Sequence, residues 1–278
     1  MVSSVTGLGS LIAKPAQGFT IIEVLIVLAV TALLGITALL ALSGRIDSTN
    51  LEIASNNFAL AMKQSITDSL SSYLSDYSSL YCTSTGDETP VKFSTTQPPA
   101  GQPNLGCIFL GSVVQFAPMN QPSEFINYPI AGNQTYYSQE VENLTEAVPE
   151  PIVGAVNLSQ VQTIGDGITV SSLKADGNST GAIAFMLGDL SRNLATYDSS
   201  TNNLNPGDLA ENLYYVKGTL LGQTSSAVTS NITASNFISA SNVQICLYEG
   251  SQKSVEVTIS GSDNLNVTST NFASSTCS

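Results

Sequence analysis

Apolar residues are arranged differently in three successive stretches of the chain. From Phe19 to Leu42 the sequence FTIIEVLIVLAVTALLGITALLAL is apolar on every side of a helix, with Glu23 as its one charge. Val24 to Leu42 is uninterrupted. As a helix it is about 28 Å long, close to the roughly 30 Å hydrocarbon core of a bilayer. Such a segment predicts a single membrane crossing. Beyond it, Ala54, Phe58, Met62, Ile66, Leu70, then Tyr73 or Leu74, and Tyr77 recur at three- and four-residue steps between polar residues, which makes one apolar stripe on a helix. No proline lies between Pro15 and Pro90. The pattern therefore predicts one helix from about residue 20 to about residue 80, roughly 90 Å long, apolar all round in its first half and amphipathic in its second. Gly35 and Ser43-Gly44 are places where it could bend.

From about Tyr81 the periodicity becomes that of strands. Thr83 to Gly106 is rich in Thr, Gly and Pro and predicts a loop. Cys107 to Phe116 reads as two strand pieces around a Gly111-Ser112 turn, and residues 117–160, with five of the eleven prolines, as an irregular excursion. Strands are expected over Gly167–Leu173, Gly181–Leu187 and Leu213–Leu221. The clearest alternation comes last, in Asn242–Tyr248, Ser254–Ser260 and Leu265–Thr268, joined by short turns, and predicts an antiparallel meander. The fold class is α+β: a long N-terminal helix, transmembrane and then amphipathic, packed on an antiparallel β-sheet head.

Charge narrows the function. Eight Lys+Arg against 21 Asp+Glu give a net charge of −13 and a pI near 4.1. That balance argues against contact with nucleic acid, which needs clustered cations. With no His in the chain, His-dependent triads and His-ligated zinc are excluded. No dinucleotide or phosphate-binding glycine motif is present, and no cofactor is implied. Residues 198–208, DSSTNNLNPGD, offer oxygen ligands but lack the spacing of a calcium loop. The four cysteines, Cys82, Cys107, Cys246 and Cys277, form no CxxC pair. In a head outside the cytoplasm they imply two disulfides, for which we expect Cys82 with Cys107 and Cys246 with Cys277 among the three connectivities.

Glu23 is the residue whose position needs explaining. A carboxylate in an apolar span costs several kcal/mol unless partnered. It could simply mark the start of the span, with its head at the interface. Its neighbours point further: Lys14 and Pro15 lie upstream, Gly18 precedes the aromatic Phe19, and Glu23 is fifth counting from Phe19. This resembles the class III signal of type IV pilin-like proteins, the pilins and pseudopilins. The resemblance implies a leader over 1–18, cut after Gly18 by a prepilin peptidase that N-methylates Phe19. It implies a transmembrane and filament-core helix over 19–43, an amphipathic half over 44–81 and an extracytoplasmic β-rich head over 82–278. The new amine at Phe19 would pair with Glu23 of a neighbouring subunit, so that two costly charges become one ion pair.

The same resemblance implies a structural role without catalysis. The expected setting is a single-pass membrane protein with a cytoplasmic N-terminus, displayed on a cell-surface filament or pseudopilus after assembly. Its partners would be prepilin peptidase, other pilin or pseudopilin subunits, an inner-membrane assembly platform and membrane lipid. The phrases GCIFLGSVVQF and VQICLYEGSQKSVEVTISG are similar to the sheet of the H-type minor pseudopilins, although residues 117–240 are longer than a compact head of that kind and leave the number of sheets open. A second reading remains. Ala41-Leu42-Ser43 before Gly44 resembles a small-x-small cleavage site, which fits a secreted or membrane-anchored adhesin-like β-domain that forms no filament.

Overall fold

A computed structural model of the chain describes residues 20–70, 81–83, 91–94, 107–133, 135–136, 139–152, 161–165, 167–187, 190, 211–250, 253–261, 265–272 and 277. The chain divides into two compact units, residues 1–46 and 47–278. Helix α1 (Ile21–Leu70) contributes to both and is continuous through Gly35 and Ser43-Gly44. Tyr73, Leu74 and Tyr77 of the expected stripe lie outside the described residues, as does the 198–208 segment.

In the second unit, the end of α1 buries the first four residues of the predicted stripe, and Leu51 one turn before them. Leu51, Ala54, Phe58, Met62 and Ile66 are all in the core, with Met62 fully enclosed. The strands are β1 (Tyr81–Thr83), β2 (Lys92–Ser94), β3 (Cys107–Phe116), β4 (Glu124–Asn133), β5 (Thr135–Tyr136), β6 (Gln139–Glu140), β7 (Glu150–Pro151), β8 (Val161–Thr163), β9 (Ile168–Ala175), β10 (Asn178–Ser179), β11 (Ala182–Leu187), β12 (Glu211–Val216), β13 (Phe237–Ser239), β14 (Asn242–Glu249), β15 (Lys253–Ser260) and β16 (Asn266–Phe272). They build a five-stranded sheet in the order β10-β9-β14-β15-β16 and a seven-stranded sheet in the order β13-β12-β11-β3-β4-β7, with β8 also on β4. Every pairing is antiparallel. The predicted meander is β14-β15-β16.

The stripe of α1 and the inner faces of both sheets share one core. Phe58 meets Phe116 of β3 and Phe125 of β4 edge-on, with ring centroids 6.0 and 5.6 Å apart. Val170, Leu173, Ile245 and Val257 close the core from the five-stranded sheet. The other face of the seven-stranded sheet is covered as well, by Val141, helix α2 (Leu144–Ala147) and a one-turn helix at Ser225–Thr229, over a second core that includes Leu110, Ile130 and Met186. Burial on both faces explains why β11, AIAFML, has no polar alternation. The two phrases compared with one pseudopilin sheet fall in different sheets, β3 in the larger and β14-β15 in the smaller.

Three sequence expectations need correction. Gly111 makes no turn: β3 is one ten-residue strand with a register shift between Phe109 and Gly111. A Cβ at Gly111 would stand 2.0 Å from the Phe185 carbonyl oxygen, and its φ is +138°, so close approach to β11 selects glycine there. The 117–160 excursion contains β4, a ten-residue strand. Pro129 does not break it, because the carbonyl of Pro129 faces away from β3 and accepts the Ile152 N–H at 2.9 Å. The missing proline N–H therefore falls outside the β3–β4 ladder. The expected loop over 83–106 includes β2, which pairs with β1.

Candidate assembly site on the N-terminal helix

The first turn of α1 is closed by a reciprocal pair. The Thr20 carbonyl accepts the Val24 N–H at 3.2 Å. The Thr20 hydroxyl accepts the Glu23 N–H at 3.3 Å, and Oε2 of Glu23 in return accepts both the backbone N–H and the hydroxyl of Thr20 at 3.2 Å. The sequence Thr20-Ile21-Ile22-Glu23 is thus a capping box, which satisfies N–H groups that a helix start leaves without partners. The carboxylate also lies at the positive end of the helix dipole. Together these contribute about 1 kcal/mol to the first turn. All of the hydrogen bonds fall on Oε2. Among the described residues Oε1 accepts none, so one oxygen of the carboxylate is available to a cation.

Sequence reasoning singled out Glu23 and missed Thr20, although the T-x-x-E spacing was there to be read. Gly18 and Phe19, the expected cleavage and methylation positions, lie outside the described residues, as does the rest of the 1–18 leader.

Past Glu23 the helix surface is apolar. Every side chain from Ile21 to Leu39 is exposed, with Leu25, Leu28, Leu33 and Leu39 each about three-fifths or more accessible. This 19-residue segment is long and apolar enough to cross a membrane. Its two hydroxyls are satisfied inside the helix: Thr31 donates to the Val27 carbonyl at 2.8 Å and Thr37 to the Leu34 carbonyl at 3.0 Å. Back-bonding of this kind removes the cost of a hydroxyl in hydrocarbon. Gly35 has no atom within 4 Å of where a Cβ would stand, so its surface is open to close approach by another helix.

In the head, Cys246 on the central strand β14 is bonded to Cys277, with a Cα–Cα distance of 5.9 Å. Cys107 is also disulfide-bonded. The Cys82 side chain expected to meet it lies outside the described residues.

Residues 14–39 match the prokaryotic N-terminal methylation motif, the signature of type IV pilin-like proteins. Proteins with this motif are structural rather than enzymatic, and the motif implies processing by prepilin peptidase and assembly with pilin subunits. The apolar span Ile21–Leu39 lies within the matched residues, and a motif with such a helix indicates membrane anchoring. No curated protein and no solved structure gives a significant match to the chain.

Proposed function

We propose that the chain is a structural subunit, a minor pilin or pseudopilin, of a type IV pilus or type II secretion-like filament. The observation that carries this reading is an exposed apolar segment, Ile21–Leu39, whose single charge, Glu23, stands at the first turn of α1 inside a methylation motif. In this reading prepilin peptidase cuts after Gly18 on the cytoplasmic side and methylates the amine of Phe19. The helix first anchors the chain in the inner membrane, and an assembly platform then draws it from lipid into a bundle of sister helices. Leaving lipid for other apolar helices changes little in hydrophobic energy, so close packing and polar pairing must decide the arrangement. Oε1 of Glu23 supplies that pairing by accepting a neighbour's methylated amine while Oε2 continues to cap its own helix. Mechanical work comes from partner motor proteins, and the chain itself turns over no substrate. The long head favours a minor subunit displayed outside the cytoplasm.

Sequencing the mature N-terminus tests the reading. Methylated Phe19 on protein recovered from sheared filaments is the expected result. A chain beginning at Met1, or at Gly44, would refute it and leave the adhesin-like alternative.

A further inference from the structure

Among the described residues of the head the large apolar side chains left exposed are Ile53, Leu60, Met119, Val161 and Leu220, and all but Val161 fall into two features. The first is a knob on two adjoining loops, 117–123 between β3 and β4 and 217–224 after β12. Gln223 joins them: its backbone carbonyl accepts the Met119 N–H at 2.9 Å and Gln115 Nε2 at 2.8 Å, and its side-chain Oε1 accepts the Leu220 N–H at 2.9 Å. At Gly222 a Cβ would stand 2.3 Å from Asn120 Oδ1. Inside this clasp Ala117, Met119 and Asn120 are all left-handed, with φ of 50°, 51° and 61°. Residues with a Cβ hold that conformation only where the surroundings impose it, and such residues cluster at functional surfaces. What the clasp holds outward is apolar: Met119 is 60% exposed and Leu220 58%. The second feature is a stripe on the outer face of α1, away from Phe58 and Met62, where Ile53 is 54% and Leu60 61% exposed. They are seven residues apart and share one side of the helix.

Charge points to the occupant. Residues 111–123, 218–248 and 53–62 contain no Asp, Glu, Lys or Arg in a chain of net charge −13. Like-charged copies repel, and surfaces free of charge are where they can touch at least cost. A bilayer fits the knob poorly, because Lys217 is the one basic residue of its two loops and they hold no Arg, Trp or Tyr to anchor it at an interface. Position agrees. Ser112 of β3 meets Ser69 of α1 and Phe116 meets Phe58, so β3 runs antiparallel to the part of α1 within the head, and the knob lies toward the Leu51 end of that part.

We propose that the Met119–Leu220 knob of one copy docks on the Ile53–Leu60 stripe of a second copy. Two different surfaces meeting in this way form a heterologous contact between neighbouring copies. That suits copies tethered in parallel through α1, and to this extent the proposal rests on the assembly reading above.

The test is site-directed crosslinking of the full chain in its own membranes. Leu60→Cys and Met119→Cys copies with different tags are co-expressed and briefly oxidised. Both positions are exposed, and the native cysteines that the structure describes are bonded. A dimer carrying both tags is expected, absent when either variant is expressed alone and lost when Leu220→Asp is added to the Met119→Cys copy. Leu33→Cys in the apolar span reports assembly independently. Leu33 dimers without Leu60–Met119 dimers would overturn the docking and leave assembly standing, and loss of both would overturn both. Met119–Met119 dimers, or shielding of the Met119→Cys thiol by lipid in the absence of other copies, would assign the knob to another occupant.

Discussion

Replacing Glu23 with Gln separates two roles that replacement with Ala would confuse. The capping box needs an acceptor that returns to Thr20, and Gln supplies one. The Thr20 contacts at 3.2 and 3.3 Å should therefore survive, and with them the roughly 1 kcal/mol they contribute to the first turn. What Gln removes is charge. An ion pair at about 4 Å is worth on the order of 4 kcal/mol at the effective dielectric of a protein surface. That corresponds to about a thousandfold in the equilibrium for one subunit joining another. Glu23→Gln should thus insert into membranes and be processed like wild type, while the yield of sheared filaments falls to background. Glu23→Ala should lose the cap as well, and Thr20→Ala, which keeps the charge, should fall only about fivefold, the equivalent of about 1 kcal/mol. Filament yield, with Leu33→Cys crosslinking as the second readout, checks all three. If Glu23→Gln assembles as well as wild type while Glu23→Ala does not, the carboxylate serves the helix end and the pairing mechanism is wrong.

Three further outcomes concern the head. Phe58→Ala removes the ring that Phe116 and Phe125 pack against and should destabilise the head by about 3–5 kcal/mol in urea unfolding of the full chain in detergent; a loss below about 1 kcal/mol would mean that the core does not rest on this cluster. Cys277→Ser opens a loop of 31 residues, which on the chain-entropy estimate costs roughly 4 kcal/mol, and reductant should lower the unfolding midpoint of this variant less than that of wild type, because only the bond at Cys107 is left to reduce. Burial raises the Glu150 carboxyl above its ordinary value. The folded head therefore holds that proton more tightly than the unfolded chain, and the stability it lends is complete below the ordinary carboxylate pKa and lost as pH rises through the raised one. Glu150→Gln should flatten that weakly acidic part of the stability–pH curve and raise Tm at neutral pH; an unchanged curve would place the carboxyl in water.

Local regularity made the helix and the meander legible. The spacing of Ala54, Phe58, Met62 and Ile66 is that of a helix against a core, and Val243, Ile245 and Leu247 alternate as one buried face must. What decides Gly111 is a carbonyl of Phe185, far along the chain, and a Gly-Ser pair looks the same whether it turns or admits a neighbouring strand. Pro129 was misleading for a similar reason, since its harmlessness depends on which side of β4 its nitrogen faces. The division into two sheets could not be read either, because β3 and β14 have similar apolar content and differ only in their partners. At the candidate assembly site, the lone acid in the apolar run exposed Glu23, whereas Thr20 hid among hydroxyl residues that crowd the whole sequence.

Thr31 and Thr37 fold their hydroxyls back against their own helix. From Val24 to Leu39 the outer surface consequently offers an apolar neighbour no polar group to recognise, only the gap at Gly35. A helix of this kind is miscible, able to sit beside any relative with a similar coat. In the assembly proposed above, the choice of neighbour would then fall to the acid at its tip, the gap at Gly35 and the contours of the head.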